Sequence, residues 1–63
     1  MLLIVKLDNP RFPGNGGTVI AYAASVADYL AQITDRDGAH DKTMRLWEGS
    51  AVAIGTKVHL TEA

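Results

Sequence analysis

The chain has 63 residues, no cysteine, 48% hydrophobic residues and a formal net charge of −1, which predicts one globular domain spanning residues 1–63. These numbers exclude disulfides and a Cys-based zinc site, and the balanced charge excludes a global field that steers the chain to nucleic acid or to an anionic membrane. No stretch approaches the ~20 apolar residues of a membrane span, and no cationic segment of a secretory signal precedes the apolar start. We therefore expect a cytoplasmic protein with no membrane partner.

The first predicted element is a strand over residues 1–7. It is rich in aliphatic residues and ends at the turn-forming cluster Asp8-Asn9-Pro10. Both of its faces are apolar, with Leu3 and Val5 on one side and Leu2 and Ile4 on the other. This pattern is typical of a strand that is covered from two sides.

A loop rich in proline and glycine over residues 8–17 follows, and regular structure resumes at Thr18. Apolar residues then recur at helical spacing, and they predict an amphipathic helix over residues 18–35 with Thr18 as N-cap and Gly38 as the stop signal. The competing interpretation makes Thr18–Tyr22 a strand. In that case the helix starts at Ser25, whose spacing to Asp28 fits a capping box.

Two further strands are predicted over Thr43–Trp47 and Ala51–Leu60, joined by a turn at Glu48–Ser50. The resulting fold class is α+β. The predicted arrangement is β-α-β-β, with one helix on one face of a three-stranded sheet and the long last strand in its centre, and the alternative is β-β-α-β-β.

One helix covers only one face of such a sheet. The second face, with Trp47, Leu2 and Ile4, is predicted to stay open, and an open apolar face on a small domain is most often an interface. A chain of this size also buries only about 60% of the surface that its unfolded form exposes, so association adds needed stability. We therefore expect a homo-oligomer, or docking on a larger protein.

The predicted partner-binding residues combine this face with the proline-bounded loop and the cationic hairpin. They are Leu2, Ile4, Arg11, Phe12, Arg45, Trp47, Lys57 and His59. The same Arg45, Trp47, Lys57 and His59 support an alternative function, because an aromatic and cationic sheet face can stack bases and neutralise phosphates. Nucleic acid is thus the second predicted class of partner.

Two loop features have open interpretations. Phe12 either presents its ring to a partner or folds back onto its own core beside Val19. The glycine-rich stretch Gly14, Gly16, Gly17 and Thr18 is either a flexible connection or an anion site, because convergent backbone N–H groups before a helix N-terminus can bind phosphate. The stretch lacks the Gly-Lys-Ser/Thr ending of a P-loop.

No residue set for catalysis stands out. His40 and His59 fall on different elements, and the acidic turn Asp35–Asp41 lacks the spacing of a calcium loop. We therefore expect no enzyme activity, metal or cofactor. A short chain with this profile is typical of phage and mobile-element accessory proteins, which act by binding larger proteins.

Overall fold

The computed structural model describes residues 1–59, so the predicted strand end at Leu60 lies outside the described residues. In chain order the elements are β1 (Leu2–Leu7), a 3₁₀ turn (Pro13–Asn15), β2 (Gly17–Ala23), α1 (Val26–Ile33), β3 (Met44–Glu48) and β4 (Lys57–Val58). The predicted α+β class, with one helix on one sheet, is confirmed. The described residues form four strands rather than three, in the β-β-α-β-β arrangement given as the alternative.

β1 lies inside the sheet, whose strand order is β3-β1-β2-β4. β2 and β3 both pair antiparallel with β1, so they run parallel to each other, and α1 connects them across the β1 face. The prediction of a long central last strand is wrong. β4 has two residues and pairs only with the start of β2 at the sheet edge.

Two small clusters of buried side chains lie on the two faces of β1, which confirms that this strand is covered from both sides. Leu3 and Ile4 are adjacent in sequence, point to opposite faces and are 0% and 1% exposed. The buried members are Leu3, Val5 and Val19 on one face, and Ile4, Ala23 and Ile33 on the face beneath α1.

The prediction of a helix over residues 18–35 is wrong at its N-terminal end. Residues 18–23 belong to β2, because three consecutive β-branched residues favour a strand and β1 offers a full partner ladder. The helix begins after Ser25, whose Oγ accepts from the Asp28 N–H at 3.1 Å, while Asp28 Oδ2 accepts from the Ala24 N–H at 2.8 Å. The capping box of the competing interpretation therefore sets the start of α1.

A β-bulge explains why β2 also shows helical spacing. Ile4 pairs with Ala21 whereas Val5 pairs with Val19, so Ile20 is an extra residue in the ladder. Because one extra residue reverses the alternation of faces, Val19 and Ala21 point to opposite sides of the sheet. A regular strand would place both on the same side.

The predicted hairpin at Glu48–Ser50 is also wrong. Residues 49–56 form no strand and instead cross the Leu3 face of the sheet, where Val52 packs against the buried cluster. The Tyr22 hydroxyl donates to the Val52 carbonyl, which fixes this crossing segment over β2. The sheet face that was predicted to be open is therefore largely covered by the chain itself.

Gly16 allows β4 to approach the loop that precedes β2. Its φ is +81°, and a Cβ at this position would stand 2.0 Å from the Val58 carbonyl oxygen. Gly14 lies in the same loop without such constraints, since nothing stands within 4 Å of its Cβ position. The two glycines therefore form a matched pair.

We predict that Gly16→Ala lowers the Tm by at least about 5 °C, because a left-handed φ alone costs roughly 1–2 kcal/mol in an L-residue and backbone atoms must also shift. Gly14→Ala should leave the Tm unchanged or slightly raised. Thermal unfolding by circular dichroism measures both. Equal Tm values for the two variants would contradict the close approach of β4.

Candidate functional site

Arg45 and Trp47 lie on β3, on the sheet face that carries Leu3 and Val5. Trp47 is half-buried and packs against that cluster, so its side chain contributes to the core. The Arg45 guanidinium turns back along its own strand, where Nη1 donates to the carbonyls of Lys42 and Met44 at 2.8 Å each. The Arg45 guanidinium is therefore engaged by backbone carbonyls of its own chain.

Lys57 and His59 belong to the opposite edge of the sheet. The strand order places β3 and β4 at the two outer positions, so the predicted grouping of Arg45 and Trp47 with Lys57 and His59 across a hairpin is wrong. Lys57 Nζ also lies 2.8 Å from Asp8 Oδ1, with which it forms an exposed ion pair. The structure does not assemble the cationic surface that the sequence predicts.

Leu2 and Ile4 face α1 and not Trp47. The register pairs Ile4 with Leu46, whereas Leu3 is the residue opposite Trp47. Ile4 is 1% exposed, and Leu2 is half-buried in the same cluster. The prediction that these two residues share an open face with Trp47 is therefore wrong, because alternation along β1 puts them on the other side.

The loop before β2 presents Phe12 to solvent. Its side chain is 61% exposed and does not fold back onto the core, and the neighbouring Arg11 is exposed as well. The loop has its own order, since the Phe12 N–H donates to the Asn9 carbonyl and the Asn15 N–H to the Phe12 carbonyl, both at 2.9 Å. A contact role for Arg11 and Phe12 stays a prediction.

The glycine-rich stretch ends in a strand, which removes the main basis of the predicted anion site. Thr18 lies in β2 and not at a helix N-terminus, so no helix dipole acts there. The Gly16 N–H already donates to the Pro13 carbonyl at 3.0 Å, and Gly17 is buried between β1 and β4. Gly14 is exposed in the 3₁₀ turn.

Val26 and Leu30 are apolar residues of α1, yet they are 57% and 37% exposed. They lie one turn apart on one flank of α1. The opposite flank contacts β2, where Gln32 Nε2 donates to the Tyr22 carbonyl at 3.2 Å. The exposed flank formed by Val26 and Leu30 therefore points away from β2, toward the β3 side of the sheet.

An open cleft of about 360 Å³ lies beside the end of α1, between the turn that follows it and Met44. Its two carboxylates serve the local backbone: Asp35 Oδ1 accepts from the N–H groups of Asp37 and Ala39, and Asp41 Oδ1 accepts from Thr43. Among residues 1–59 no cluster of three metal-ligating side chains occurs. The two carboxylates thus hold the turn that forms one wall of the cleft.

The fold changes the titration of Asp41. The hydroxyl and backbone N–H of Thr43 donate to its carboxylate at 2.7 and 2.8 Å, and they hold the pKa of Asp41 below its usual range, with a smaller contribution from Lys6. Because the folded pKa is depressed, the stabilisation is present above about pH 4 and is lost as the pH falls through the folded pKa.

We predict that Thr43→Val raises the pKa of Asp41 toward its ordinary value, because the hydroxyl donor is the largest cause of the depression. Thr56→Val, in the turn before β4, is the matched control. A carboxyl-carbon NMR titration of each variant measures the pKa directly. An unchanged Asp41 pKa in Thr43→Val would show that the hydroxyl is not its hydrogen-bond donor.

Comparison with family models, with curated proteins and with solved structures finds no match to this chain. Over the described part of the chain, no helix is long and apolar enough to cross a membrane.

Proposed function

We propose that this chain is a non-enzymatic protein–protein interaction module whose partner is a second copy of itself. The observation that carries the proposal is the exposed flank of α1. Val26 and Leu30 are 57% and 37% exposed at positions where the amphipathic pattern of the helix calls for burial. An apolar flank on a helix that already packs on a sheet is best explained by a second packing partner.

The small size of the core supports association. Among residues 1–59, seven hydrophobic residues are buried and seven large hydrophobic residues are exposed, among them Phe12, Ile20 and Ile54. The accessible surface is 4326 Å², against roughly 3,900 Å² expected for a monomer of this mass. The total accessible surface of the chain is thus about a tenth larger than the scaling predicts for its mass.

The nucleic-acid alternative has less support, because the fold separates the residues that it requires. Arg45 and Lys57 lie at opposite edges of the sheet, and each is engaged by neighbouring acceptors. A cytoplasmic location and a docking role on a larger assembly, as in phage accessory proteins, stay predictions from the sequence.

We predict that Leu30→Lys raises the Kd of self-association at least about tenfold, because it places a charge in an apolar contact. Ala31→Lys is the matched control, since Ala31 is exposed on the same helix but 100° away from Leu30. Sedimentation velocity over a concentration series measures the Kd, and circular dichroism verifies that both variants fold.

A wild-type chain that stays monomeric up to millimolar concentration would overturn the proposal. Equal Kd values for Leu30→Lys and Ala31→Lys would show that the flank of α1 is not part of the contact.

A further inference from the structure

β3 is an outer strand, and the hydrogen-bond pattern shows which of its backbone groups point away from the sheet. The Leu7 N–H donates to the Thr43 carbonyl at 2.7 Å, and the Gly49 N–H donates to the Met1 carbonyl at 3.0 Å. In an antiparallel ladder, hydrogen-bonded pairs alternate with pairs whose polar groups point outward. The backbone N–H and carbonyl groups of Arg45 and Trp47 therefore bond to β1, while those of residues 44, 46 and 48 point outward from the sheet.

The outward groups at the start of β3 are already occupied. The Met44 N–H donates to the Asp41 carbonyl at 3.3 Å. The Met44 carbonyl accepts from Arg45 Nη1 at 2.8 Å and from the Tyr29 hydroxyl at 3.4 Å. This half of the edge is closed to another strand, as is usual for protected sheet edges.

The second half of the edge is open. Within residues 1–59, the outward N–H and carbonyl groups of Leu46 and Glu48 have no hydrogen-bond partner. The exposed flank of α1 points toward this same β3 side of the sheet. The structure thus presents a short strand edge beside an apolar helix flank.

Resting on the proposed function, we infer that two copies of the chain join through this edge, with the two β3 strands antiparallel and centred on Trp47. Leu46 of one copy lies opposite Glu48 of the second copy, and the two Trp47 residues lie opposite each other. The pairing forms four backbone hydrogen bonds, and these involve only the groups that are unpartnered in the single chain.

Neighbouring registers fit less well. A pairing centred on Leu46 would place Glu48 opposite Met44, whose carbonyl is occupied by Arg45 and Tyr29. A register that places Leu46 opposite Trp47 would form no ladder, because the N–H and carbonyl of Trp47 already bond to β1. The Trp47-centred register avoids both problems.

This register also covers the apolar surface that the single chain exposes. Both helices lie on the same side of the joined sheet, and their Val26 and Leu30 flanks face each other across the twofold axis. On the other side, the two Trp47 residues form a non-hydrogen-bonded pair, whose Cα atoms lie about 4.5 Å apart in a regular ladder. A stable interface needs roughly 600 Å² per copy, about one-seventh of the 4326 Å² surface.

Amide hydrogen exchange by NMR, at concentrations below and above the dimer Kd, tests this register. We expect the protection of the Leu46 and Glu48 amides to rise at least about tenfold with concentration. The Arg45 and Trp47 amides, bonded to β1, should be protected at both concentrations. A dimer seen by sedimentation without a change at Leu46 and Glu48 would overturn the register but leave self-association standing.

Glu48→Pro provides a second test, because it removes an outward N–H without breaking the ladder with β1. We expect its dimer Kd to rise at least about tenfold. Glu48→Ala is the control for the ion pair with the Met1 ammonium, 2.8 Å away, and should change the Kd by less than about threefold. A folded Glu48→Pro variant that dimerises like Glu48→Ala would overturn the inference.

Discussion

The structure depends on β1, a strand whose two faces are both buried in a chain of 63 residues. Leu3 and Ile4 follow each other in sequence and are almost completely buried on opposite sides. Each side chain needs its own cover, and the single helix provides only one. The other cover is residues 49–56, an irregular segment held over the sheet by the Tyr22 hydroxyl and by the Gly55 N–H, which donates to the Val19 carbonyl at 2.7 Å. The fold therefore has two small hydrophobic clusters, one on each face of the sheet, rather than one large core.

This division explains where the unused apolar surface lies. The buried apolar residues are divided between the two faces of β1, so one flank of α1 and one half of the β3 edge stay uncovered. The closed half of that edge is protected by Asp41 and Arg45, which engage the polar groups of Met44. A second strand can therefore pair with the β3 edge only over its short open half, which defines the register of the pairing. The proposed self-association and its proposed geometry both rest on this shortage of covering residues.

Parts of this fold are readable from the sequence and others are not. The first strand and its two apolar faces follow from local residue patterns, and the structure confirms them. The capping box at Ser25 is also readable, as part of the competing interpretation, whereas the cover of the second face by residues 49–56 is not predicted. The strand at 17–23 is ambiguous because its bulge at Ile20 puts Val19 and Tyr22 on the same face, at a spacing of three residues that a helix also produces. The surroundings of Trp47 could not be derived from the sequence, because they depend on whether residues 51–56 form a strand. Their irregular path is fixed by long-range contacts with β2, and that path places Lys57 at the far edge from Arg45.

The central claim is that β1 lies between β2 and β3 with both faces covered, and NOE spectroscopy of the native chain tests it most directly. The non-hydrogen-bonded pairs of an antiparallel ladder bring Hα atoms close together. The structure predicts an Hα–Hα NOE between Ile4 and Leu46, together with side-chain NOEs from Ile4 to Ile33 and from Leu3 to Trp47. Strong helical NOEs through residues 18–23, with cross-strand NOEs between Leu46 and Val52, would contradict it.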